Sequence, residues 1–139
     1  MLATILLATD GSAHARRATR LAADLARRYG ARVIVVTAFD PIPRDLGSPY
    51  QEDLMARRTA SAEAVAKDAG RVLDEVGVSH EEEVLEGPAA DAILRVARVR
   101  GCDLIVMGSR GLSPLRAAIL GSVSQRVVAE APCPVLIVH

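Results

Sequence analysis

Tryptophan is absent from the 139-residue chain, and Tyr29, Phe39 and Tyr50 are its only aromatic residues. Half of the residues are apolar, so the core has to be built from Ala, Val, Leu and Ile. That composition suits Val-rich strands packed on Ala-rich helices. The stacked aromatic platform of an RNA-binding surface has no material here. Net charge is missing too: 17 basic residues offset 17 acidic ones, and this balance points to no polyanionic partner. Lysine is reduced to Lys67, the other 16 basic residues being Arg. The densest basic cluster, Arg16, Arg17, Arg20, Arg27 and Arg28, falls on one helical stretch and reads as a solvated face rather than a nucleic-acid patch. Cysteine occurs twice, at Cys102 and Cys133. Their separation excludes CxxC and zinc spacings, and both adjoin apolar runs, as small core residues of a reduced cytoplasm would. No apolar run approaches the ~20 residues of a membrane span. Residues 1–8 are apolar but carry neither a basic leader nor a cleavage site, so they read as a strand and not as a signal peptide.

The length suits one domain, residues 1–139. Along it, short apolar runs alternate with helical periodicity. Residues 2–8 form a first strand, closed by Asp10-Gly11-Ser12. Ser12 is placed to cap a helix whose apolar face is Ala18, Leu21, Ala22, Leu25 and Tyr29, and Gly30 stops it. Residues 33–38 suit a strand buried on both faces. Residues 39–50, with Pro41, Pro43, Gly47 and Pro49, form the longest loop. A helix over 51–76 sets Val65, Ala69, Val72 and Val76 on one side, and Gly77 ends it. Residues 78–85 make a more polar edge strand. Gly87-Pro88 opens a third helix with Ala89, Ile93, Val96 and Ala97 facing inward. Residues 104–107 form a strand, a last helix runs to Ala131, and residues 135–138 form the final strand.

This alternation predicts an α/β fold: a three-layer, doubly wound, Rossmann-like sheet of five parallel strands with about four helices. Right-handed crossovers leave few topologies. The order 3-2-1-4-5 brings together the loops that follow the first and fourth strands. They then meet at the carboxyl ends of the strands, where the winding reverses and ligands bind.

The loop after the fourth strand has the most distinctive composition. It runs Gly108-Ser109-Arg110-Gly111, then nine residues, then Gly121-Ser122-Val123-Ser124-Gln125. A buried strand, a glycine loop and a helix start in succession suit phosphate, because unpaired N–H groups and the helix dipole face an anion there. Ser122 with Gln125 also matches a capping box. That pattern explains those two residues but not three glycines in one connection. Arg110 and Arg116 offer guanidinium groups to phosphate oxygens. Asp10, just past a buried strand, is placed to accept from a ribose hydroxyl or to help hold Mg²⁺ beside phosphates. His14, His80 and His139 have no catalytic partner at a recognisable spacing and read as surface or packing residues. The apolar run 135–138 at a sheet edge invites antiparallel pairing of two copies into an isologous dimer.

These residues resemble the universal stress protein family, in its nucleotide-binding branch. The pattern G-x2-G-x9-G-[ST] carries the likeness at Gly108, Gly111, Gly121 and Ser122. Ile5-Leu6-Leu7-Ala8-Thr9-Asp10-Gly11-Ser12, Asp103-Leu104-Ile105-Val106-Met107-Gly108 and the ending from Ala131-Pro132-Cys133-Pro134 onward add to it. The resemblance implies ATP, or AMP or ADP, as ligand, with Mg²⁺ as a companion. It places Thr9 and Asp10 at the ribose and adenine end, and main-chain groups of Ala38 at the adenine edge. Met107, Gly108, Arg110 and Gly111 would flank ribose and phosphates, and Gly121, Ser122, Val123 and Ser124 would hold the phosphates. Ala38 stands where the family often has a larger aliphatic residue. The resemblance further implies a cytoplasmic stress-response regulator that dimerises through its last strand, without nucleic acid or membrane as partner.

Two alternatives stay open at this level. One is a slow ATPase or self-phosphorylating enzyme with Ser122 or Ser124 as acceptor. The other is a dimeric interaction module without nucleotide. A P-loop NTPase is excluded by the lack of G-x4-G-K-[ST]. A receiver domain would need an acidic cluster and a late lysine. A dinucleotide fold would put its glycines after the first strand, where Gly11 stands alone. No catalytic residue is assigned, since no Ser-His-Asp or Cys-His set is evident.

Overall fold

The computed structural model describes residues 2–109 and 120–139. The elements follow in the order β1 (Thr4–Ala8), α1 (Ala13–Tyr29), β2 (Arg32–Phe39), α2 (Tyr50–Glu75), β3 (His80–Glu86), α3 (Ala89–Val99), β4 (Leu104–Gly108), α4 (Ser122–Glu130) and β5 (Val135–Val138). The five strands form one sheet in the order β3-β2-β1-β4-β5, every neighbouring pair parallel. Fold class and strand order agree with the sequence expectation.

Strand pleating sorts the apolar residues onto two faces. Ile5, Leu7, Val33, Val35 and Val106 pack with α1 and α2. Leu6, Ala8, Ile34, Val36, Ile105 and Met107 pack with α3 and α4. β1 lies at the centre and is buried along its whole length. Each large aliphatic side chain buried this way contributes roughly 1.5–3 kcal/mol.

Both ends of α1 are capped as its sequence predicts. Ser12 Oγ accepts from the Ala15 N–H at 3.3 Å, and Gly30 takes the left-handed conformation at φ +67°. The buried faces of the helices differ from the periodicity reading, however. α1 buries Ala15, Ala18, Thr19, Ala22, Ala23 and Ala26, while Tyr29 is 60 % exposed. α2 starts at Tyr50 and buries Ala62, Ala66, Ala69, Gly70 and Leu73. Val65 and Val72 are only half-buried, and Val76 is exposed at the C-cap. The reason is proximity: at Gly70 an added Cβ would lie 2.5 Å from Glu82 Oε2 and 2.8 Å from His80 Nε2. Small residues face the sheet because the helix lies close to it.

The segment between β2 and α2 is tied down at its start. Ile42 is buried, and its N–H donates to Glu86 Oε2 at 2.8 Å. Arg58 donates to the carbonyls of Asp40 and Pro41 at 3.0 and 2.9 Å.

Candidate functional site

The site candidates gather where the strand order reverses around β1. The β1–β2 ladder ends at Ala8 opposite Val36, with the Thr9 N–H donating to the Val36 carbonyl at 3.0 Å. β2 continues to Phe39 paired with β3 alone. Because backbone groups alternate sides along a strand, the N–H and C=O of Ala38 turn toward β1 at a level where β1 has ended. The β1–β4 ladder stops at Ala8 opposite Met107. A crevice therefore opens past Ala8. Ala38 and Met107 border it from the two flanking strands, on the face that α3 and α4 cover.

The turn after β1 is built from its own side chains. Asp10 Oδ1 accepts from the Ser12 N–H at 2.9 Å, which orients the carboxylate. Its second oxygen has no partner among the described residues. Thr9 is 8 % exposed and its Oγ1 accepts from the Gly11 N–H at 3.2 Å, so this hydroxyl supports the turn. Gly11 has φ +81°, and a Cβ there would meet Val65 Cγ2 at 3.2 Å. Both conformation and space call for glycine.

On the other side of the crevice, α4 begins bare. Its N-cap is Gly121, with no side-chain capping bond, and its first turn holds no acidic residue. The first helical bond is Gln125 N–H to the Gly121 carbonyl at 2.9 Å. The amides of Ser122, Val123 and Ser124 thus have no intrahelical acceptor. The capping-box reading is corrected here. Ser122 lies inside the helix rather than at its cap, and the Gln125 amide instead donates to the Leu120 carbonyl at 2.7 Å. Ser122 is exposed. Ser124 is 3 % exposed, and its Oγ donates to the Gly108 carbonyl at 2.9 Å, which locks α4 to the end of β4. The arrangement offers an anion several N–H donors at the positive end of a helix dipole.

Thr9, Asp10, Ala38, Met107, Gly108, Gly121, Ser122, Val123 and Ser124 therefore lie at the carboxyl end of the sheet, on the strand ends and turns around the switch point. Arg110, Gly111 and Arg116 lie outside the described residues.

Two residues at this end escaped the sequence reading. His14 Nδ1 shares a hydrogen bond with Ser109 Oγ at 2.7 Å, and Ser109 is 2 % exposed. Gly108 makes this contact possible, since a Cβ there would fall 2.8 Å from His14 Cβ and 3.0 Å from the Ala15 nitrogen. The one sequence signal was the glycine itself, which marks a close backbone approach without naming its partner.

Comparison with known proteins gives a consistent result. The sequence model of the Universal stress protein family matches residues 1–139. A universal stress protein of Thermus aquaticus, encoded beside a QAH/OAS sulfhydrylase, is 49 % identical over 140 residues, covering 100 % of both chains. A crystal structure of a universal stress protein in complex with cAMP is 30 % identical, with TM-score 0.76, covering 99 % of this chain and 97 % of that one. The structure of the universal stress protein of Archaeoglobus fulgidus in complex with dAMP is 26 % identical, with TM-score 0.74, covering 100 % and 98 %.

Proposed function

Because this chain belongs to the universal stress protein family, we propose that its switch-point crevice binds an adenine nucleotide, ATP or its mono- or diphosphate, and that the protein is a cytoplasmic stress-response regulator. The observation that carries this reading is the pairing, across one crevice, of two backbone sites that have no partner among the described residues. The Ala38 N–H and C=O face a gap past the end of β1, as an adenine edge requires. The amides of Val123 and Ser124 face outward from an uncapped helix start, as phosphate requires. Relatives holding cAMP and dAMP support the choice of an adenine nucleotide.

Asp10 completes the reading from the turn, its second carboxylate oxygen accepting from a ribose hydroxyl. Among the described residues no three His, Cys, Asp or Glu side chains gather as a metal cage. Mg²⁺ would accompany the phosphates, with Asp10 as its protein contact and water completing the shell. Binding of this kind needs no chemical step, and this chain's residues bind and orient the nucleotide. Two copies would pair through β5, which lies at the sheet edge with half-buried apolar side chains.

The test is to denature freshly purified protein and identify released nucleotide by mass spectrometry, beside Gly121→Val. Near-stoichiometric adenine nucleotide in the wild type and its loss in the variant is the expected result. Absence from the wild type, followed by a blank titration with ATP and AMP, would give the lead to the interaction-module reading.

A further inference from the structure

Resting on that nucleotide-binding reading, we propose that His14 is a positioning residue that makes phosphate binding depend on pH. The geometry starts from Ser109. Its hydroxyl is withdrawn from water and lies 2.7 Å from His14 Nδ1. Its main chain holds the frame of the phosphate site. The Ser109 N–H donates to the Val138 carbonyl at 2.8 Å, and the Ser109 carbonyl accepts from the Gly121 N–H at 2.8 Å. The imidazole thus acts on a residue that joins β4, β5 and the cap of α4.

Proton bookkeeping gives the consequence. With the neutral ring protonated on Nε2, the Ser109 hydroxyl donates to Nδ1. Protonation of the ring places a hydrogen on Nδ1, which then donates to Ser109 Oγ. The hydroxyl hydrogen must turn to a different acceptor. A phosphate group at the start of α4 supplies acceptor oxygens, and the imidazolium brings a positive charge to the same end of the sheet. Both changes favour an anionic ligand, and neither favours an uncharged nucleoside.

Among the described residues, the charged groups at this end of α1 come from several elements. Asp10 stands on the turn that enters α1. Arg17 follows one turn later, and its Nε donates to the His139 carbonyl at 2.6 Å, which ties α1 to the residue after β5. β4 (Leu104–Gly108) contributes no titratable side chain. The first ionisable residue of α4 is Arg126, which is committed to Asp91 and Glu130.

The experiment compares the affinities of ATP and adenosine at pH 6 and pH 8 for the wild type and His14→Asn, whose amide keeps a hydrogen-bonding group near Ser109 but does not titrate. Ionisation of the nucleotide itself is common to both proteins and cancels. Wild-type affinity for ATP should exceed that of the variant by about five-fold more at pH 6 than at pH 8, the size of one partly screened charge. Adenosine affinity should show no such difference. A second measurement uses the unaltered protein. The carbon-bound imidazole protons of His14 should titrate at higher pH with ATP bound than without, and adenosine should leave the midpoint in place. Equal pH dependence in wild type and variant, or an unmoved His14 midpoint with ATP bound, would overturn the inference and leave nucleotide binding standing. No ATP binding at either pH would remove the nucleotide reading and the inference with it.

Discussion

The Gly121 N–H donates to the Ser109 carbonyl at 2.8 Å, and this bond joins the two ends of the glycine connection. Neighbouring Ser124 donates to the Gly108 carbonyl at 2.9 Å. The first turn of α4 is therefore held against the end of β4 by one main-chain and one side-chain bond. Its own leading amides have no acceptor within the helix.

Gly108 should not tolerate a side chain. A Cβ would meet His14 Cβ at 2.8 Å and backbone atoms of His14 and Ala15 at 3.0 Å. α1 would have to retreat, because backbone cannot turn aside. Gly108→Ala should lower stability by about 1–3 kcal/mol in urea denaturation and weaken adenine-nucleotide binding in the same protein. Unchanged stability would show that the start of α1 is adaptable.

Thr37 Oγ1 is buried with no hydrogen-bond partner among the described residues, in a residue 3 % exposed. Thr37→Val keeps the shape and removes the lone hydroxyl. Stability should rise by about 1 kcal/mol, read as a higher urea midpoint with an unchanged slope. A fall would reveal that the hydroxyl is satisfied by an internal water.

Asp103 Oδ2 accepts from the N–H groups of Ala3 and Thr4, each at 2.9 Å. The Thr4 bond, then the Ala3 bond, hold its carboxyl below the usual carboxylate range, against a smaller opposing effect of burial. A carboxylate lowered in the folded state contributes fully above the unfolded value of about 4. The contribution is lost as pH falls through the native value. Asp103→Asn should therefore lower stability at pH 7, and the gap to wild type should close on acidification toward pH 2. A gap independent of pH would assign the effect to geometry rather than charge.

Burial pushes the Cys102 thiol up to about 11, with Cys133 adding to the shift, and burial raises Cys133 as well. Since the thiolate is the reactive form, Cys102 should resist disulfide reagents at pH 8 until the protein unfolds. Thiol titration with and without denaturant measures this, and rapid labelling of Cys102 in the native state would contradict its burial.

Much of the fold was legible because single residues carried it. Ser12 and Gly30 bounded α1, and the apolar runs of β2 and β4 were too short for helices and too apolar for an exposed edge. The crossover rule then left few topologies, and the order 3-2-1-4-5 was the one that brought together the two loops of unusual composition. The face of α2 was not legible, because periodicity weights Val65, Val72 and Val76 above alanine. The packed helix instead presents Ala62, Ala66, Ala69 and Gly70, the residues that permit close approach. At the site, Asp10 and Gly121 followed from their places at a turn and a helix start. His14 did not, since its partner Ser109 is 95 positions away and only the packing of α1 against the end of β4 joins them. The helix start was misread by one residue, because Ser122 is a better cap than Gly121 by local preference while the bond to Ser109 fixes Gly121 there.

The strand order also governs how the chain is assembled in time. β1 finds β2 after one intervening helix, but its pairing with β4 joins segments about a hundred residues apart, as the Thr4–Asp103 contact at a separation of 99 shows. Contacts of such long range are entropically costly to close and slow to form. β1, β2 and β3 with α1 and α2 have the shorter closures, and docking β4 onto β1 is the step that creates the crevice. Ligand competence should therefore appear together with the last cooperative phase of refolding.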